Sequence, residues 1–483
     1  MIKINRTELR DKITACWIGK NIGGTIGAPY EWTQEILDLK GFSTEEGEVL
    51  PNDDLDLQLI WLKAIDRLGP DGINEKVLGE YWLNYIMPHW NEYGVGKSNM
   101  RAGFYPPLSG ELNNTHWKNS NGAWIRTEIW SCLYPGCPEK AINFAFNDAC
   151  VDHGFGEGTY AAIFIAAIES AAFVFDDINT LLDIGLSKIP SDCRVARSVR
   201  MVRQAYKDGL DWKETRENLV KDSADIGWFQ APANIGFVII GLLYGEGDFK
   251  KSMLLAVNCG DDTDCTGATI GSILSIIGGT KAIPSDWANH IGLKIEQNCL
   301  LNGHGLYPTT IEQLVDGIFN LLPTTLRKSI YRYDCSDVEI VDGESDFSEI
   351  TPKDYFGTDF VEKMFNRSRF SFTANATFFD ALIEFEKEPR LLPGESLKGK
   401  LTVINKGNPS PEHFNLYWFL PEGWTVTGSR HLFVPTNKNV DDAHFVEFVL
   451  TAGETQNGVA HIGLEVSESG KLGCAYFPIN ILQ

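Results

Sequence analysis

The stretch Pro51-Asn52-Asp53-Asp54-Leu55-Asp56-Leu57-Gln58-Leu59-Ile60-Trp61-Leu62-Lys63-Ala64-Ile65 decides what kind of fold this chain forms. From Leu55 onward its apolar residues recur at spacings that suit a helix, and an amide followed by carboxylates marks where that helix starts. The same reading applies to Thr159-Tyr160-Ala161-Ala162-Ile163-Phe164-Ile165-Ala166-Ala167-Ile168. Small-residue runs such as Gly267-Ala268-Thr269-Ile270-Gly271 let helices approach closely. Between residue 7 and about residue 325 nothing alternates convincingly with period two. We therefore expect residues 1–330 to form one large all-α domain.

Beyond residue 330 the character changes. Residues 331–369, rich in Asp, Glu and Ser, read as an acidic linker. From 370 to 483 short alternating segments at 397–405, 414–420, 444–450 and 460–466 are separated by Gly, Pro and Asn turns, the pattern of a small antiparallel β-sandwich of immunoglobulin-like type. Such a domain packs on the helices or mediates assembly, or else it binds glycans.

The 483 residues carry 42 Lys and Arg against 65 Asp and Glu, a formal net charge of −23. This acidity repels phosphate backbones and anionic lipid surfaces, and no basic patch offsets it, so neither nucleic acid nor a membrane is an expected partner. The first ten residues contain charges and lead into no signal-peptide pattern, and no apolar run reaches the roughly 18 to 20 residues of a membrane span. A soluble, cytoplasmic protein is expected. Ten cysteines without CxxC pairing read as buried reduced thiols and support neither a disulfide framework nor a zinc site.

Two acidic clusters carry the chemistry. One is Asn52-Asp53-Asp54-Leu55-Asp56; the other, Gly260-Asp261-Asp262-Thr263-Asp264-Cys265-Thr266, precedes the small-residue helix near Gly267. Capping and the helix dipole explain one or two carboxylates in a first turn. A third repels its neighbours unless a cation compensates, and hard divalent ions want six or more oxygens of the kind two facing helix starts supply.

Taken with Gly19-Lys20-Asn21-Ile22-Gly23-Gly24-Thr25-Ile26-Gly27-Ala28-Pro29-Tyr30-Glu31, the ordered clusters resemble the ADP-ribosylglycohydrolase family over roughly residues 8 to 320. The resemblance implies an all-α fold with a dinuclear Mg²⁺ centre, sometimes Mn²⁺, that cleaves the glycosidic bond joining ADP-ribose to a protein side chain. It implies Asn52, Asp53, Asp54, Asp262, Asp264 and Cys265 at the metal positions, and Glu31, Asp54 and Asp262 as the catalytic carboxylates. Ser120, Asn121, Gly122 and Arg126 correspond to the loop that wraps ribose and diphosphate, and Asp152-His153 to the pair whose histidine reaches the substrate.

The departures bear on the metal count. Cys265 stands where the family has a ligating Thr, and a thiol suits Mg²⁺ poorly, which leaves Thr266, Asp261 or a water to replace it, or a weak second ion. Asn52 replaces Thr or Ser but keeps an oxygen, Leu55 replaces a Thr, and Asp261 replaces a Gly. The expected activity is release of ADP-ribose from a protein or small acceptor by metal-activated water with carboxylate acid/base catalysis. Aromatic residues at Trp90, Tyr93, Phe104, Tyr105, Trp117, Trp124, Trp228 and Phe229 suit adenine or pyranose rings equally. A metal-dependent glycosidase acting on a non-nucleotide sugar or glycan is thus the alternative, with a silent crystallin-like structural protein as a third.

Overall fold

A computed structural model of the chain describes residues 2–301, 307–326, 337–340, 351–357, 359–406, 411–435, 443–455 and 458–483. The expected helical domain is present: helices run from Arg6–Gly27 to Ile311–Thr325. Glu157–Ala172 and Ala231–Tyr244 are buried on nearly every side, as all-round apolar helices at the centre of a bundle must be.

Glycine sets the closest contact in this domain. Gly19, Gly23 and Gly27 form a stripe at four-residue spacing on helix Arg6–Gly27, and it lies on Ser275, Gly271, Gly267 and Thr263 of helix Thr263–Gly278. A Cβ on Gly23 would stand 1.9 Å from the carbonyl oxygen of Gly267, so only hydrogen fits there. The two helices run antiparallel, and the Thr263 hydroxyl donates to the Gly27 carbonyl at 2.8 Å where the end of one meets the start of the other. The helix starting at Asp53 is capped by Asn52, whose side-chain oxygen accepts the Asp54 N–H at 2.7 Å.

The C-terminal region forms the expected sandwich of two antiparallel sheets. Strands Ser371–Asn375, Phe379–Phe385, Ser396–Asn405, Ala443–Thr451 and Thr425–Gly428 pair in that order. The other sheet is Cys474–Leu482, Val459–Glu468, Glu412–Phe419 and His431–Val434. Their inner faces share one core, with Phe379, Ile383, Leu401, Leu464 and Phe477 buried. Phe104, Leu108 and Leu112 of the helical domain belong to that same core, and Glu75 accepts from the Thr373 hydroxyl at 2.9 Å, so the sandwich packs firmly on the helices.

Part of the segment read as a linker is built into the helical domain. Strand Asp337–Ile340 pairs with Ile2–Asn5, Tyr355 donates to the Gly136 carbonyl at 2.9 Å, and Met364 joins the helical core. Residues 331–336, 341–350 and 358 of that segment, Cys335 among them, lie outside the described residues. The nine cysteines within the described residues are free thiols, all buried except Cys474, and no described helix is long and apolar enough to cross a membrane.

The glycine seam makes a direct prediction. Gly23→Val should lower the unfolding free energy by about 3 kcal/mol or prevent folding, because the added atoms meet backbone that cannot move aside. Gly357→Ala, where nothing lies within 4 Å of the added carbon, should stay within about 0.5 kcal/mol of the parent. Urea unfolding of both variants checks this, and equal midpoints would refute the seam.

Candidate metal centre and active site

The seam brings three parts of the chain to one point. Glu31 follows the first helix, Asp262 and Asp264 open helix Thr263–Gly278, and Asp53 and Asp54 open helix Asp53–Leu68. The Glu31 segment is stitched in place: the Trp32 N–H donates to the Asp261 carbonyl at 2.8 Å and the Asp261 N–H to the Thr33 carbonyl at 2.6 Å. Ligand atoms of Glu31, Asp262 and Asp264 lie within 4.8 Å of one another, as do those of Asp54, Asp264 and Cys265. Asp264 belongs to both groups and joins them.

The electrostatics of the cluster ask for a cation. Asp54, Asp262 and Asp264 are buried, and each has a carboxylate oxygen without a hydrogen-bond partner. Burial, then the neighbouring Asp264 and Asp53 charges, pushes Glu31 up to about 8 although that residue keeps surface in solvent at the mouth. Burial likewise raises Asp53, and raises Asp54 and Asp262 far above the usual carboxylate range. Unpaired, buried, mutually repelling carboxylate oxygens fit a hard divalent ion with oxygen ligands.

Cys265 does not add to that donor set. Its thiol lies 3.5 Å from Asp54 Oδ2, burial with the surrounding aspartates pushes its pKa well up, and a thiol suits a hard oxygen-seeking ion poorly. The residues considered as replacements are engaged elsewhere. The Thr266 hydroxyl donates to the Thr263 carbonyl at 3.2 Å, while Asp261 accepts from the Phe229 N–H and from Asn234 Nδ2 at 2.8 Å. Asp261 holds a left-handed φ of 69°, where the family's glycine would be unstrained and aspartate is tolerated. Asp56 is not among the residues lining the cavity; its Oδ2 accepts the N–H groups of Asn298 and Cys299 at 2.8 and 3.0 Å, and its Oδ1 is buried without a hydrogen-bond partner.

A fixed positive charge stands behind the ligands. Lys20, fully buried, donates to Glu128 at 2.7 Å and to the Ile125 carbonyl at 2.8 Å, and its Nζ lies 3.7 Å from Asp54 Oδ1. Gln58 Nε2 reaches both Glu128 and the Asp54 carbonyl at 2.7 Å. Sequence reasoning passed over this network; a lysine inside a glycine-striped helix was the one available signal.

The predicted substrate loop divides into a wall and its support. Gly122 lines the cavity, and Asn121 is fixed by donating to Asp262 Oδ2 at 2.7 Å. Arg126, expected to cradle phosphate, is instead fully buried, because Asp148, Asp152 and the Gly122 carbonyl take up its guanidinium. His153 and Ser120 are also buried and bond to each other at 3.1 Å, with His153 Nδ1 2.8 Å from Asp152. These three hold the loop from behind and do not line the cavity.

The cavity itself has a volume of about 410 Å³. Asn52, Asp53, Asp262, Asp264 and Cys265 line it, and Tyr93 donates to Asp53 Oδ2 at 2.7 Å. Trp32 and Phe229 stack at its mouth, ring centroids 3.6 Å apart and planes 3° from parallel, both with left-handed φ. Trp32 is 51% and Trp90 52% exposed, a high value for residues of this size. Glu92, buried in the wall, was not singled out from the sequence.

These carboxylates make stability depend on pH. Glu31 titrates near 8 in the folded chain and at about 4.3 when unfolded, so its contribution is present below about pH 4 and is lost as pH rises through 8. In chelator the thermal midpoint should fall from about pH 5 to about pH 8, and millimolar Mg²⁺ should raise it more at the higher pH. Thermal unfolding with and without Mg²⁺ checks this; an identical Mg²⁺ effect at both pH values would contradict it.

Comparison with known proteins gives this geometry a context. Residues 5–325 match the family model for ADP-ribosylglycohydrolase. A solved structure described as an ADP-ribosylglycohydrolase-related protein complex is 17% identical, covering 66% of this chain and 99% of that one, with a TM-score of 0.46. A FixG-related protein from Vibrio parahaemolyticus is 12% identical over 22% of this chain and 97% of its own, with a TM-score of 0.19. The cupredoxin domain of amoB from Nitrosocaldus yellowstonii is 12% identical over 24% of this chain and 88% of its own, at 0.17. Comparison with curated protein sequences gives no match. On the extent of the family match, this chain belongs to the ADP-ribosylglycohydrolase family.

Proposed function

We propose that this chain hydrolyses a glycosidic bond at the carboxylate cluster, with a divalent cation, Mg²⁺ or Mn²⁺, held by Asp53, Asp54, Asp262 and Asp264. The observation that carries the reading is the set of unpartnered buried oxygens on Asp54, Asp262 and Asp264 beside Glu31. When bound, such a cation supplies Lewis-acid chemistry, neutralising the cluster and polarising oxygen atoms of the sugar.

The protein's own residues do the rest. Glu31, at the cavity mouth beside Asp262 and Asp264, takes a proton from the attacking water, its ionised form favoured once a bound cation offsets the neighbouring aspartate charges. Tyr93 and Asn121 hold Asp53 and Asp262 in fixed orientations, so the carboxylates need not reorganise as charge develops at the anomeric carbon. The Trp32–Phe229 stack and Trp90 offer flat faces to a ring and keep water from the cavity mouth.

The family points to ADP-ribosylated substrates, either a modified protein or a small ADP-ribosyl compound. One observation favours the second reading, a non-nucleotide sugar or glycan: among the described residues no Lys, Arg or His lines the cavity, and Arg126 is spent on aspartates. A diphosphate would then depend on main-chain N–H groups and the cation for its countercharge.

Activity on ADP-ribosyl-arginine and ADP-ribosyl-serine peptides, compared with nitrophenyl glycosides in Mg²⁺ and in chelator, tests the proposal. Turnover should require the divalent ion, and Asp264→Asn should reduce it on the order of 100-fold or more with the fold intact by circular dichroism. Full turnover in chelator, or an unaffected Asp264→Asn enzyme, would refute it.

A further inference from the structure

Resting on the glycosidic reading above, we propose that Glu92 is a second catalytic carboxyl, the acid that protonates the departing oxygen. Glu92 lies in the first turn of helix Asn91–Arg101, on a wall of the cavity separate from the two helix starts that carry the metal-type cluster. A glutamate in a first turn is ordinarily an exposed partner of the helix dipole. This one is 5% exposed, lines the cavity, and has Oε2 without any hydrogen-bond partner. A buried carboxyl oxygen left unpaired costs stability, which a purely structural side chain would avoid.

Its surroundings hold it in place and leave that oxygen free. Gly122 packs against the carboxyl so closely that a Cβ there would stand 2.2 Å from Oε1 and would push the Glu92 carboxyl from its place. Ser120 lies beside the Glu92 carboxyl; its hydroxyl donates to the Trp117 carbonyl at 2.6 Å and is 3.1 Å from His153 Nε2, while His153 Nδ1 lies 2.8 Å from Asp152, which Arg126 anchors. The chain Glu92, Ser120, His153, Asp152, Arg126 accounts for residues that the sequence placed at the substrate and the fold places behind it. They are positioning residues, and Glu92 is the member that reaches the cavity. Burial, with Asp152 adding to it, pushes Glu92 up to about 7, so it carries a proton over the lower part of the neutral range.

The step balances. The bond between the anomeric carbon and the leaving oxygen breaks, its electron pair stays on that oxygen, and the Glu92 proton moves to it. Water bonds to the anomeric carbon and yields a proton to Glu31, and exchange with solvent returns both carboxyls to their starting states.

The test compares leaving groups that do and do not need protonation. With an ADP-ribosyl-serine peptide or a methyl riboside, Glu92→Gln should lower kcat by roughly 10²- to 10⁴-fold, and with a 4-nitrophenyl riboside by less than about tenfold. The high-pH limb of the wild-type rate profile on the alkyl substrate should vanish in Glu92→Gln. The groups facing Glu92 are unchanged in that variant: Asp152 and His153 from helix Pro138–His153, Ser120 and Arg126 from the loop, and Tyr93 with Asp53 beside it. A measurement needing no variant is the wild-type profile itself, whose high-pH limb should appear with the alkyl and not with the nitrophenyl substrate. Equal losses on both substrates, or the same limb with both, would overturn the role of Glu92 while leaving the glycosidic reading in place. A wild type inert toward every one of these glycosides would overturn that reading, and the acid role with it.

Discussion

The contact between the glycines of helix Arg6–Gly27 and those of helix Thr263–Gly278 is the constraint on which the rest of the molecule hangs. With Gly23 and Gly267 backbone to backbone, the helices lie as close as main chain allows, and four-residue spacing fixes their register. Because they run antiparallel, the end of one falls beside the start of the other, and Glu31 arrives next to Asp262 and Asp264. A side chain anywhere along the stripe would separate residues that are more than 200 positions apart in sequence. Packing at the seam therefore sets the geometry of the site.

That geometry concentrates like charge in a place that water barely reaches, and the surroundings show how the protein tolerates it. Lys20, Gln58 and Glu128 form a satisfied polar network behind Asp54, and Asn121 and Tyr93 hold the outer carboxylates. The compensation is partial, since one carboxylate oxygen on each of Asp54, Asp262 and Asp264 has no hydrogen-bond partner, and among the described residues only that of Asp54 lies near a cation, Lys20, at 3.7 Å. The sandwich completes the frame from a distance: by burying Phe104, Leu108 and Leu112 it clamps the segment that follows helix Asn91–Arg101, the helix that brings Tyr93 and Glu92 to the cavity.

Much of this was legible in the residues themselves. Helical spacing around Leu57–Ile65 and alternation after residue 396 follow from local periodicity, and the excess carboxylates at Asp53 and Asp264 announced themselves by exceeding what capping needs. Direction was harder to read. Arg126 and His153 sit in a loop and a helix end whose sequence says which residues are near the site but not which way they face, and aspartates at 148 and 152 turn Arg126 inward. Asp56 and Asp261 look like ligands in a string of acids, yet main-chain N–H groups from distant loops claim them. Glu92 looked like an ordinary first-turn acid, and only burial distinguishes it. The segment expected as a linker was read by its acidity, while Tyr355 and Met364 within it carry the apolar groups that pack.

The central claim is that two helix starts, brought together by a glycine seam, form a divalent-cation site at the floor of a sugar-sized cavity. Anomalous diffraction from crystals grown with Mn²⁺ measures this most directly. The account predicts Mn²⁺ bound to carboxylate oxygens of Asp264 and of Asp54 or Asp262, at roughly 2.0–2.6 Å. Crystals that diffract well and show no anomalous peak at those carboxylates in saturating Mn²⁺ would contradict it.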